Sequence, residues 1–211
     1  MSWRGVISVV LLLGSAAGLL WVVRNPRLER LMEAAEAAED TQEAEQWLQR
    51  AMEELREPEG FYLNWSTHRK LEPVVCARLA SLYEQRPDPA LAEQWHLRAV
   101  SYYQEKEDRD GLRYTTIAVP LSALAAFYEK QGRRLTEADR AYSRAVTAYA
   151  RQAEILGDGG YISATNVVDC LYRYARLLVR LHRPDEAVAM RKQAGEIKTR
   201  LGKDFPYWPE E

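Results

Sequence analysis

Arg173, Arg176 and Arg180 recur at three- and four-residue spacing, which in a helix places all three side chains on one face. Guanidinium forks grouped in this way can grip the carboxylates of a partner segment. The competing reading is a solvated charged face. Other chemistry-bearing residues are dispersed. His68, His96 and His182 are scattered along the chain, and Gly157-Asp158-Gly159-Gly160 is not followed by the lysine and serine or threonine of a phosphate-binding loop. No nucleophile, base and orienter set can be assembled from these residues, so a binding protein is expected rather than an enzyme. Cys76 and Cys170 stand far apart, and neither belongs to a Cys-x-x-Cys pair. They read as small buried hydrophobes, with no metal, redox site or cofactor implied.

Positioning any such site falls to a repeated helical element. Ala44-Glu45-Gln46-Trp47 recurs as Ala92-Glu93-Gln94-Trp95, within a pattern found four times: Ala44/Leu48/Ala51, Ala92/His96/Ala99, Ala138/Tyr142/Ala145 and Ala187/Arg191/Ala194. The copies are 48, 46 and 49 residues apart, the mark of one supersecondary unit copied and stacked. Each is preceded by an apolar stripe spaced 0, 3, 4 and 7: Leu28/Leu31/Met32/Ala35, Cys76/Leu79/Ala80/Tyr83, Leu121/Leu124/Ala125/Tyr128 and Leu171/Tyr174/Ala175/Leu178. That spacing is one face of a helix, so each copy is a helical hairpin and the fold class is all-α. Turn chemistry separates the paired helices, with Asp88-Pro89 as N-cap and first helical residue, a capping box from Thr136 to Asp139, and Pro184-Asp185-Glu186 opening the last helix. Pro58 to Gly60, Asp110-Gly111 and Gly157 to Gly160 break the chain between hairpins.

These positions resemble the tetratricopeptide repeat family, whose first helix carries bulky, Leu, Gly/Ala and Tyr positions and whose second carries Ala, an aromatic and Ala. The match runs through Cys76, Leu79, Ala80, Tyr83, Ala92, His96 and Ala99, and again through Leu121, Leu124, Ala125, Tyr128, Ala138, Tyr142 and Ala145. It covers residues 26–201 and weakens at the ends, where Met32, Ala35 and Arg191 depart from it. The units exceed the usual length of about 34 residues, and Gln104 stands where a closing proline belongs. In this the chain is similar to the long repeats of the kinesin light chain subgroup. The resemblance implies an α-solenoid of about four hairpins whose first helices line a groove for an extended peptide or a partner helix. Groove-facing positions are then Glu29, Glu33 and Glu36, followed by Ala77, Ser81, Ser122 and Ala126, and finally Tyr172, Arg173, Arg176 and Arg180. The groove would run from acidic to basic, with Ser81, Ser122, Tyr172 and the three arginines as the partner-binding set and an acidic protein or peptide as ligand. Ser81 and Ala126 replace the asparagine with which some family members clamp a C-terminal carboxylate.

Gly5 to Val23 forms an uncharged, mostly apolar run of 19 residues bracketed by Arg4 and Arg24, with Trp3 and Trp21 near its ends. As a helix it spans about 28 Å, enough for a bilayer core. Ser15-Ala16-Ala17 leaves a cleaved signal peptide open, but Leu19 to Val23 continue the apolar run and favour an uncleaved single-pass anchor for residues 1–24. Arg24, Arg27 and Arg30 follow the run, which leans the repeat domain toward the cytoplasmic side. With 29 basic against 31 acidic residues and a net charge of -2, the 187 residues beyond Arg24 offer nucleic acid no strong field. The tail of residues 202–211 carries Phe205-Pro206-Tyr207-Trp208-Pro209, read as a cap over the last hairpin or a short docking motif. Two functions follow: a membrane-anchored adaptor or scaffold that binds a protein partner, in assembly or quality control of a membrane complex, or a permanent accessory subunit of such a complex. The hairpins require alanine where their helix backbones approach to about 8 Å. Ala92→Leu is therefore expected to overpack the hairpin and cost about 1 to 3 kcal/mol in a denaturation experiment.

Overall fold

The computed structural model describes residues 26–56, 72–86, 89–110, 117–156 and 161–201. The apolar run of residues 5–23, the breaks at residues 58–60 and 157–160, Asp88 and the aromatic tail lie outside them. Among the described residues the chain forms eight helices and no strand: α1 (Pro26–Ala37), α2 (Thr41–Arg56), α3 (Glu72–Glu84), α4 (Pro89–Asp110), α5 (Ala118–Lys130), α6 (Leu135–Leu156), α7 (Tyr161–Arg180) and α8 (Pro184–Leu201). None of these helices is long and apolar enough to cross a membrane. The chain divides into two compact units, with the boundary between Val75 and Cys76 inside α3.

The hairpin of the first unit starts its second helix with a cap. Asp40 Oδ1 accepts from the amides of Gln42 and Glu43 at 2.7 Å each, satisfying two donors that a helix start leaves without an internal partner. Leu48, Ala51, Met52 and Leu55 of α2 are buried together with Leu28 of α1, whereas Leu31, Met32 and Ala35 are only partly covered. Arg27, near the start of α1, pairs at 3.1 Å with Glu54, near the end of α2 and 3% exposed. The two helices are thus antiparallel. A carboxylate so deeply placed requires a cation.

In the second unit the alanine pattern governs packing. Ala80, Ala92, Ala125, Ala138, Ala145, Ala175 and Ala194 are all fully buried. Cys76, Leu79 and Tyr83, then Leu121, Leu124 and Tyr128, then Leu171, Tyr174 and Leu178 fill the space around them. Consecutive helices pack from α4 through α8, and the first helices α5 and α7 also touch directly. Arg191, which breaks the aromatic position of the pattern, is exposed.

Two helix ends answer the same geometric demand with different residues. Gly132 follows α5 with φ +68° and donates its amide to the Glu129 carbonyl at 3.0 Å. His182 follows α7 with φ 59°, while its amide reaches the Val179 carbonyl at 3.1 Å and that of Arg183 reaches Leu178 at 2.9 Å. These are the two bonds of a Schellman end, which favours glycine at the left-handed position. The next helix start differs from the expected capping box. α6 begins at Leu135, so Thr136 lies inside it; the Arg134 carbonyl accepts from Ala138 at 3.0 Å, and Asp139 is engaged elsewhere. Because a Cβ at Gly132 would meet nothing within 4 Å, Gly132→Ala is expected to cost about 1 kcal/mol through backbone strain alone. His182→Gly relieves the same strain and is expected to stabilise by roughly 0.5 kcal/mol, net of glycine's entropy. Urea titration of both variants checks the opposite signs.

Candidate partner-binding face

Each junction between hairpins in the second unit holds a carboxylate one residue beyond the first buried alanine of a second helix. Glu93 follows Ala92 in α4; it accepts from the Tyr128 hydroxyl of α5 at 2.8 Å and from Arg134 Nη1 at 2.6 Å. Asp139 follows Ala138 in α6; it accepts from the Tyr174 hydroxyl of α7 at 2.9 Å and from Arg183 Nη1 at 3.0 Å. Each arginine sits just before the next second helix and also binds the acid three residues on, Glu137 or Glu186. Acid and tyrosine are 35 residues apart in both copies. Burial, reinforced by the adjacent carboxylate, pushes the phenols of Tyr128 and Tyr174 up to about 12, so both remain protonated donors. The hydrogen bond from Arg134 leads in holding the Glu93 carboxyl below its ordinary value.

A second repeated network ties the ends of the first helices. Glu84, ending α3, meets His96 Nε2 of its own hairpin at 2.9 Å and Lys130 of α5 at 3.2 Å. Glu129, near the end of α5, accepts from the Tyr142 hydroxyl at 3.3 Å and from Arg180 Nη1 of α7 at 2.9 Å. His96 and Tyr142 occupy the same place in the alanine pattern, and each lies against an aromatic of the following hairpin: Phe127 at 5.2 Å and Tyr174 at 5.7 Å. His96 is therefore a buried packing residue. Its bond leads in lowering the Glu84 carboxyl.

These networks sort the residues proposed from the sequence. Arg180 is committed to Glu129, and Arg173 Nε forms an ion pair with Asp169, one turn earlier on α7, at 2.7 Å. Arg176 is exposed and takes part in no ion pair among the described residues. Tyr172 is buried, 3% exposed, among Val168, Leu171 and Ala194, with Lys198 of α8 over its ring at 5.6 Å. It belongs to the core between α7 and α8, because its apolar ring falls on the stripe that α8 covers. Ser122 of α5 is half-buried and its hydroxyl meets the Cys170 thiol of α7, which burial pushes up to about 11; that thiol is no nucleophile at neutral pH. Ser81 is exposed on α3. Glu29, Glu33 and Glu36 are on α1 in the first unit.

The open surface of the second unit's first helices is consequently narrower in charge than the sequence suggested. Ala77 and Ser81 of α3 and Ala123 of α5 are exposed, Ala126 is half-exposed, and Val119 of α5 and Val179 of α7 are exposed to 44% and 47%. Arg176 of α7 is exposed as well. The clamp acids Glu93 and Asp139 escaped the sequence reading, although both directly follow the first alanine of the repeated pattern. No family model and no characterised protein matches this sequence.

Glu84 and Glu93 both titrate below the ordinary value of 4.5. The stability they contribute is complete above that value and lost as pH falls through their depressed folded values. Glu93→Gln is expected to cost about 1 to 2 kcal/mol at neutral pH. It should also flatten the acid limb of a stability–pH profile measured by denaturant titration.

Proposed function

We propose that this chain is a membrane-anchored, tetratricopeptide-like adaptor that holds a protein partner on the exposed face of its first helices, in assembly or quality control of a membrane complex. The observation that supports this reading is the combination on that face of short side chains with uncovered branched aliphatics. Ala77, Ser81 and Ala123 leave room for an incoming segment, and Val119 and Val179 present apolar area to it. An extended chain or helix laid across alanine-sized positions approaches the backbone closely, where van der Waals contact is greatest.

Arg176 then supplies the polar contact. It forms no ion pair among the described residues, so a partner carboxylate meets a guanidinium that need not first be freed from one of them. Arg173 and Arg180 act indirectly, fixing α7 and the end of α5. The anchor in this reading is the apolar run of residues 5–23, which supplies the membrane attachment and confines the adaptor near its client.

A photoactivatable residue at Ala123 of the full chain, irradiated in native membranes, is expected to crosslink a partner, and Arg176→Glu is expected to reduce that product several-fold. A product formed equally from Val188 on α8, or untouched by Arg176→Glu, would refute the assigned face. Release of the partner by moderate salt marks an adaptor, whereas retention through stringent washing marks a permanent subunit.

A further inference from the structure

The arginines of the second unit's junctions have carboxylate partners, whereas those on the outer face of α6 form no ion pair among the described residues. Arg140, Arg144 and Arg151 are exposed. With Thr147 between them they recur at spacings of four, three and four residues, a single stripe about 16 Å long. Arg144 Nη2 donates to the neutral Gln104 at 3.2 Å, which leaves its charge uncompensated. Among the described residues no ion pair includes Arg140, Arg144 or Arg151. The described acids of α6 are paired elsewhere, Glu137 with Arg134 and Asp139 with Tyr174 and Arg183, although, after a backbone hydrogen bond and Arg134, the charge of Arg140 also helps to lower the Glu137 carboxyl. Ser143, Thr147 and Ala150 line the stripe with short, exposed side chains. The other second helices of this unit lack such a run, for the positions that correspond to Arg140, Arg144, Thr147 and Arg151 hold Gln94, Arg98, Ser101 and Glu105 in α4 and Ala189, Gln193, Glu196 and Arg200 in α8.

We propose that this stripe rests on the anionic headgroups of the membrane to which the chain is tethered. The proposal depends on the anchor reading of residues 5–23. Three like charges in a straight line, with no exposed large apolar side chain among the described residues of α6, suit a flat layer of negative charge better than a peptide. Peptide recognition requires an anchor residue and a place for it. Each guanidinium near an anionic leaflet strengthens attachment roughly fivefold, too little to bind a free protein tightly but enough to orient one already tethered. The stripe belongs to the second-helix layer, so binding lipid there leaves the first-helix face available to a partner.

The test uses the full chain in nanodiscs, with a nitroxide on Thr147→Cys; Cys76 and Cys170 are fully buried and should resist labelling. In discs containing about one-third phosphatidylserine, collision of the label with a water-soluble nickel chelate is expected to fall several-fold relative to pure phosphatidylcholine. High salt or the combined Arg140→Glu, Arg144→Glu and Arg151→Glu changes should restore it. Equal accessibility in both discs overturns the proposal, as does protection that appears only when a polyglutamate peptide is added, which would assign the stripe to an acidic protein. A chain that stays outside the discs after detergent removal overturns the anchor reading, and with it the orientation of α6 toward the lipid.

Discussion

Burial of alanine along paired helices is the constraint on which the second unit depends. Ala92, Ala138 and Ala187 at the starts of the second helices are buried, as are Ala80, Ala125 and Ala175 on the first, and side chains this short let helix backbones approach closely. Close approach has a polar consequence. The residue after each of the first two alanines points at the next hairpin, where a carboxylate loses much of its water and must be paired. Glu93 and Asp139 meet that demand with a tyrosine hydroxyl and an arginine positioned just before the next helix. Packing and charge pairing are therefore two results of one register, and in α8 that register places Val188, 61% exposed, at the acid's position.

The helical hairpins were legible because their signal is short-range and periodic. Every residue of the three second-unit stripes read at 0, 3, 4 and 7 is buried. The first stripe was legible only in part: Leu28 is buried, but Leu31, Met32 and Ala35 are not fully covered. Clamp acids were less legible because their partners are 35 to 44 residues away, and an acid after an alanine also fits an ordinary solvated helix face. The Thr136–Asp139 box failed for a related reason. A local cap competes with a tertiary network, and from the latter Asp139 gains a phenol and Arg183 Nη1, which donates to both carboxylate oxygens.

The candidate face shows what helical spacing can and cannot decide. Arg173, Arg176 and Arg180 do share a side of α7, as spacing required, but sharing a side does not make them equally available. Asp169 is one turn before Arg173 on the same helix, and Glu129 reaches Arg180 from α5. The first pair was visible in the sequence at four-residue spacing; the second depended on how α5 lies beside α7. Tyr172 was misplaced because a residue adjoining a polar run can still fall on the helix stripe that its partner covers.

A net charge of only -2 conceals this separation of roles. Charges that cross between hairpins are neutralised pairwise, so they fix register while adding little external field. What remains outside includes the exposed arginines that form no ion pair among the described residues, Arg176 on the first-helix layer and Arg140, Arg144 and Arg151 on α6. Near-neutral composition speaks only to the field of the chain as a whole. On the scale of one helix face, where charges are screened over about 8 Å, neighbouring guanidinium groups act together regardless of acids paired away in the junctions.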